Sequence, residues 1–228
     1  MAPETRELGL FHLAFGAVAA GALLAPGDVG PGWRMAGLVV LYHVATVVIT
    51  TVRGHRAWRR RWWFGAVLSV WMVLPDAVLA EGLGTLRFPA DGFPDLGPVT
   101  GYMAGLWTIP IVLIVTVAEE VGQRRGEGAS WVAAVVTAAI VFAGAEATLT
   151  LLPVWEPVGV TTVVGVAPYV LPAELLLGAL ALGATRWLRG SRPAAAVPVA
   201  ALVALVYTGA ATVGWLLLEQ GLFSTVAG

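Results

Sequence analysis

The sequence predicts an all-α integral membrane protein, a single transmembrane domain over residues 1–228 in which seven helices form a bundle with a cytoplasmic N-terminus and an external C-terminus. Three observations carry that expectation. Hydrophobic residues make up 58% of the 228 and charged residues only 12%, well outside the range of a soluble domain. Apolar runs near the roughly 20 residues needed to cross about 30 Å of hydrocarbon follow one another almost back to back. The arginines gather in alternate connections between those runs.

The runs cover residues 8–25, 33–52, 62–83, 100–119, 130–152, 165–186 and 194–218, separated by Gly, Pro and charged residues. The first follows Arg6 and reads as a helix rather than a signal peptide, because no clean small-x-small cleavage site precedes a soluble sequence. Arg53, Arg56, Arg59, Arg60 and Arg61 fill the second connection, Arg124 and Arg125 the fourth, and Arg186, Arg189 and Arg192 the sixth. The other connections hold little beyond Arg34 and Arg87, so the excess of positive charge on the cytoplasmic side sets the orientation. The longest external loop, residues 86–98, is rich in Pro, Gly and Asp and predicts tight turns folded over the bundle mouth. Tyr42, Tyr102 and Tyr169 in the second, fourth and sixth helices, with Trp63 and Trp131 opening the third and fifth, suggest a faint threefold repeat of helix pairs.

Composition also excludes classes. Net charge is near zero and the basic residues form short clusters, so no extended cationic surface exists for nucleic acid. The absence of Cys removes disulfides, thiolate metal sites, iron–sulfur ligation and covalent haem attachment. All 13 basic residues are Arg, so no retinal Schiff base can form. Three scattered His cannot supply the ligands of a membrane desaturase or hydroxylase. Asp91 and Asp95, the nearest pair resembling a magnesium–diphosphate motif, lie among Pro and Gly and read as turn residues. No Gly-rich nucleotide loop occurs in a suitable context. No cofactor and no metal is expected.

An ionisable group inside hydrocarbon costs several kcal/mol unless paired or hydrated, so each one asks for a reason. Three stand out: Asp76, Glu146 and Glu174. Counting about 1.5 Å per residue puts Asp76 and Glu146 roughly 20–25 Å from the cytoplasmic face and Glu174 roughly 15 Å in from the other, all in one outer slab. Like charges sharing a low-dielectric cavity cannot all ionise, so the set is expected to supply both an acid and a base. His43, Tyr42, Tyr102, Trp107, Trp71 and Tyr169 offer polar tips and aromatic faces at similar depths, where they could bind a substrate or stabilise a cation.

Plainer readings stand beside these. Glu174 follows Pro168 and Pro172, so it can lie in the first turn of its helix and complement the dipole. Asp76 follows Pro75, which can simply kink the helix. Glu146, in an Ala-rich run, has no such explanation and is the first candidate. Glu119 and Glu120 read as a solvated ion-pair cluster beside Arg124 and Arg125. His12 and His55 read as interfacial, and His43 is as readily a hydrogen-bonded core residue as a reactive one.

Phe88-Pro89-Ala90-Asp91-Gly92-Phe93-Pro94, Gly97-Pro98-Val99, Tyr102 to Pro110, Glu146-Ala147-Thr148-Leu149 and Leu152-Pro153-Val154-Trp155 together resemble an uncharacterised multi-span family shared by plants and bacteria. That resemblance covers roughly residues 75–175 and implies no activity. More loosely, the order of a Phe-Pro loop, a buried Glu in an Ala-rich helix and an aromatic, Pro-containing exit is similar to plant cycloeucalenol cycloisomerase. Only Phe88-Pro89 and Glu146 map onto it, and its His-rich fourth helix has no counterpart here. The plan is also similar to small membrane-embedded terpene cyclases and short lycopene cyclases, which use carboxylates without metals.

The resulting expectation is a metal-independent cyclase or isomerase in a bacterial plasma membrane, acting on an isoprenoid or sterol-like lipid drawn from the bilayer. Glu146 or Asp76 would donate the proton and Glu174 or its partner would accept the last one. The alternatives are a proton-coupled small-molecule transporter and a lipid- or pigment-binding assembly factor. Membrane lipids and a lipophilic small molecule are the expected partners, and nucleic acid is not.

Overall fold

A computed structural model describes residues 3–148 and 154–222. The chain runs α1 (Pro3–Leu24), α2 (Pro31–Val52), α3 (Arg56–Trp71), α4 (Val73–Ala77) and a π turn (Val78–Gly82). Short strands β1 (Leu86–Arg87), β2 (Asp95–Leu96) and β3 (Val99–Thr100) follow, then α5 (Met103–Leu106), α6 (Thr108–Arg125) and α7 (Glu127–Ala147). After β4 (Glu156–Pro157) come α8 (Leu171–Trp187), a 3-10 turn (Pro193–Ala195), α9 (Ala196–Leu217) and a closing π turn (Leu218–Leu222).

The architecture is all-helical. Six stretches, Glu4–Leu24, Pro31–Val52, Arg56–Gly82, Met103–Arg125, Glu127–Ala147 and Pro193–Gly221, are long and apolar enough to cross a membrane. Their outward faces carry the apolar residues that a soluble fold would hide: Leu13 is 74% exposed, Ile140 69% and Leu205 67%. Helices apolar on every side need an apolar solvent.

The sixth expected run is later and shorter than the sequence suggests. α8 begins at Leu171 rather than near 165, because Pro168 and Pro172 lack amide hydrogens and Val164 and Gly165 adopt positive φ, 54° and 82°. Its 17 residues make it shorter than any of those six stretches. The fifth run likewise ends in helix at Ala147, and its expected tail at 149–152 lies outside the described residues. Of the three tyrosines that suggest the repeat, Tyr42 is inside α2, while Tyr102 and Tyr169 precede α5 and α8.

The main core joins α3, α6, α7, α8 and α9 through Phe64, Leu68, Ile114, Phe142, Leu177 and Val203. α7 and α8 approach on small residues, Ala134, Ala138, Ala173 and Ala181, all fully buried, the usual means of close packing where lipid supplies no hydrophobic drive. At the arginine-rich end of this core, Arg61 of α3 donates Nε–H to Glu119 Oε2 at 2.7 Å, and Arg189 beyond α8 reaches Glu119 Oε1 at 2.6 Å. The expectation of a solvated Glu119 paired with Arg124 or Arg125 is thus corrected. Glu119 is buried and staples three elements, while Glu120 holds Arg124.

The loop end is fastened by polar contacts. Arg34 caps the end of α1 by donating to the carbonyls of Ala22, Ala25, Gly27 and Val29. β1 pairs antiparallel with β4, with Arg87 bridging to Glu156, and β2 pairs with β3 as a hairpin. Asp91 accepts from Phe93 N–H at 2.9 Å and from Tyr102 O–H at 2.7 Å, and its carbonyl accepts from Gly32 N–H at 3.2 Å. The turn reading of Asp91 therefore describes its surroundings, and the loop lies folded against the start of α2.

Candidate functional site

Asp76 owes its position to a break. Pro75 cannot donate to the carbonyl one turn earlier, so α3 stops at Trp71 and restarts as α4, which passes into the π turn. A second break faces it between α5 and α6, at Trp107. The two meet through Ser69 Oγ, which donates to the Met103 carbonyl at 3.2 Å, and through the Trp107 indole, which donates to Asp76 Oδ2 at 3.0 Å. Asp76 is buried.

Glu146 lies in the last turn of α7, the negative end of the helix dipole, where a carboxylate is unfavourable without a donor. The Ala167 amide supplies one at 2.8 Å, so Glu146 also pins the segment that leads into α8. Glu174 sits in the first turn of α8, as its proline context allowed, and is buried. Its Oε2 has no hydrogen-bond partner among the described residues.

All three acids line one cavity of about 310 Å³. Its walls are apolar and aromatic: Trp107 lies 5.6 Å from the Phe142 ring and 5.9 Å from that of Tyr207, edge to face with the latter. Tyr169 closes one side and donates to Thr85 Oγ1 at 2.8 Å. Leu86 and Pro157 of the paired strands β1 and β4 also line the cavity, with Phe88 and Trp155 beside them. The three acids do not form a group that could hold a metal ion, nor does any other set of His, Asp and Glu among the described residues.

The sequence-based candidates divide here. Asp76, Glu146, Glu174, Trp107 and Tyr169 line the cavity; Tyr42, His43, Tyr102 and Trp71 do not. Tyr42 packs between Phe11 and Phe15 and contacts His12 Nε2 at 3.2 Å. His43 accepts the Trp62 indole hydrogen at Nδ1, 3.0 Å, and donates from Nε2 to the Gly105 carbonyl at 3.2 Å, which satisfies both nitrogens of a neutral ring. Tyr102 is the latch on Asp91, and Trp71 packs against the main core. Tyr207, Phe142 and Trp155 also line the cavity but are not among the sequence-based site candidates. Tyr207 carried a usable signal, since it is one of only four tyrosines and lies within a long, mostly apolar run.

The model of one protein family matches residues 73–218, well over half of the chain and all three acids. The chain belongs to that family, described as a domain of unknown function, DUF6989. Membership in a family without assigned activity agrees with the resemblance carried by the Phe-Pro loop and the Glu-Ala-Thr motif. Of those motifs, Leu149, Leu152 and Pro153 lie outside the described residues. No curated protein and no solved structure matches the chain, so the family likeness brings no cyclase or isomerase with it.

Proposed function

We propose that the chain is a membrane-embedded, metal-independent cyclase or isomerase of an isoprenoid or sterol-like lipid. The observation that supports this reading is the convergence of three carboxylates from three helices on one apolar, aromatic-walled cavity. Glu174, with an unpartnered oxygen, is free to donate a proton to an alkene, epoxide or strained ring. The faces of Trp107, Phe142 and Tyr207 would stabilise the cation, at roughly 0.5–2 kcal/mol each. Asp76, held as an acceptor by Trp107, or Glu146 would take the final proton from carbon. This order reverses the assignment favoured by sequence, because Asp76 and Glu146 each already accept a hydrogen bond. The substrate gains one proton from Glu174 and loses one to Asp76 or Glu146, which must pass back to Glu174 before the next turnover; no oxidant or reductant is consumed, and the product is an isomer of the substrate.

The same reading takes α8 as a seventh span, since its 17 residues rise about 26 Å. The arginine-rich ends face the cytoplasm of a bacterium and the looped ends face outward. Both arginines of the outer loops support this orientation, because Arg34 and Arg87 are consumed by a helix cap and by Glu156.

Incubating purified protein in nanodiscs with linear polyprenoids and sterol precursors should yield a product of unchanged mass and altered retention. Glu174→Gln should slow its formation by 10²-fold or more, the usual contribution of a positioned acid. Undiminished product formation in Glu174→Gln, Asp76→Asn and Glu146→Gln alike would sink the reading. The facing helix breaks favour a second reading, proton-coupled transport, in which interrupted helices hold the solute. Proton flux into proteoliposomes that Asp76→Asn abolishes, with no isomeric product, would decide for it.

A further inference from the structure

A second cavity, of about 560 Å³, opens at the opposite end of the bundle, between the start of α3 and the connection from α8 to α9. Arg56, Arg59, Arg60 and Arg192 line it beside Trp62 and Trp63. None of these four guanidinium groups has an acid or a hydrogen-bond partner among the described residues. Several acids at this end are already committed: Glu119 to Arg61 and Arg189, Glu127 to Arg186, and Glu7 to His55 and Arg53. Like charges lining one cavity repel, and an anion seated among them would relieve that repulsion.

Its walls are fixed in place. The Trp63 indole donates to the Pro193 carbonyl at 3.0 Å, joining the start of α3 to the connection that carries Arg192, and the Trp62 indole is held by His43. The same lining includes the apolar Phe64, Leu188 and Ala196. A ring of arginines above an apolar wall, flanked by Trp where a membrane surface would lie, matches an anionic headgroup joined to acyl chains. A soluble anion would leave the apolar half unused.

We propose that this basin binds the phosphate of an anionic phospholipid, with the arginine forks on the phosphate oxygens and the upper acyl chain along Phe64 and Leu188. The proposal rests on the membrane reading of the chain and on nothing proposed for the acid cavity. In detergent solution, native mass spectrometry should find phosphatidylglycerol retained in preference to phosphatidylcholine when both are supplied in equal parts. The Arg59→Gln/Arg192→Gln double variant should weaken that retention roughly thirtyfold, taking two basic residues at juxtamembrane strength. Arg192→Gln alone should fall between, and Arg125→Gln, outside the basin, should match the wild type. Circular dichroism and elution volume of each variant identify any that misfold. Equal retention of the two lipids, an equal loss in Arg125→Gln, or displacement of the lipid by the same concentration of inorganic phosphate would each overturn the proposal.

Discussion

Replacing Gly178 with Ala inserts one methyl group into the close contact between α7 and α8, and the structure sets its cost. A Cβ on Gly178 would lie 2.6 Å from the Ala138 Cβ and 2.9 Å from the Ala134 carbonyl oxygen. Carbon pairs rest at about 3.5–4.0 Å, so the helices must part by about 1 Å along that line. Neither neighbour can turn aside, since one is backbone and the other a methyl with no rotamer to change. Overpacking of this kind costs about 1–3 kcal/mol, and a backbone clash belongs near the top of that range. The intrinsic helix preference of Ala over Gly returns about 1 kcal/mol, leaving a net loss of about 2 kcal/mol. Gly209 of α9 is the control, because a Cβ there meets nothing within 4 Å and only the gain of about 1 kcal/mol remains. Reversible unfolding of the two variants in the same mixed micelles should therefore separate them by about 3 kcal/mol. A difference under about 1 kcal/mol would refute the contact between α7 and α8 as described.

Three further predictions follow from named bonds. Glu119→Gln leaves Arg61 buried without its counter-charge and should cost about 3–5 kcal/mol in the same unfolding assay; the exposed bridge removed by Arg87→Gln should cost under about 1 kcal/mol. Tyr102→Phe removes the hydroxyl from Asp91, so hydrogen exchange should accelerate across residues 88–101 by the equivalent of about 1.5–3 kcal/mol while the helices stay protected. Trp107→Phe replaces the indole with a smaller phenyl ring and strips Asp76 Oδ2 of its donor, a loss of about 1–3 kcal/mol from the donor alone that Asp76→Asn in the same background should partly restore.

What the sequence discloses and what it hides divide along one physical line. Depth along a helix is a count of residues, and that count brought Asp76, Glu146 and Glu174 to a common level, where the structure has them on one cavity. Rotation about the helix axis is not a count. Tyr42 and His43 have suitable depth, yet one packs against α1 and the other clasps Trp62 and Gly105. Val and Leu lie on both the buried and the exposed sides of α2, so its apolar pattern does not fix that turn. Glu119 was misplaced for a related reason: its partners stand 58 and 70 residues away, whereas Arg124 and Arg125 are sequence neighbours. The start of α8 depended on Val164 entering a left-handed backbone conformation, which a β-branched residue rarely signals.

Between the two polar ends lies a stretch whose dryness separates a closed chamber from a conduit. Asp76 and Arg61 stand 15 positions apart along α3 and α4, about 22 Å of helix rise, as do Glu174 and Arg189 along α8 and its extension. Leu68, Ile111, Ile114, Leu177 and Leu182 fill that interval and are fully buried. A carrier must open this layer to the arginine-rich side in every cycle, whereas a chamber fed from the lipid need never do so. The chain contains no Cys, so a thiol placed in the layer reports without background. Ile114→Cys in sealed proteoliposomes, challenged with a membrane-impermeant maleimide from the arginine-rich side, should stay unlabelled over hours, with and without a proton gradient. Arg125→Cys, on the exposed end of α6, should label at once and verify access from that side. Gradient-dependent labelling of Ile114→Cys would show the layer opening and would move the assignment from isomerase to transporter.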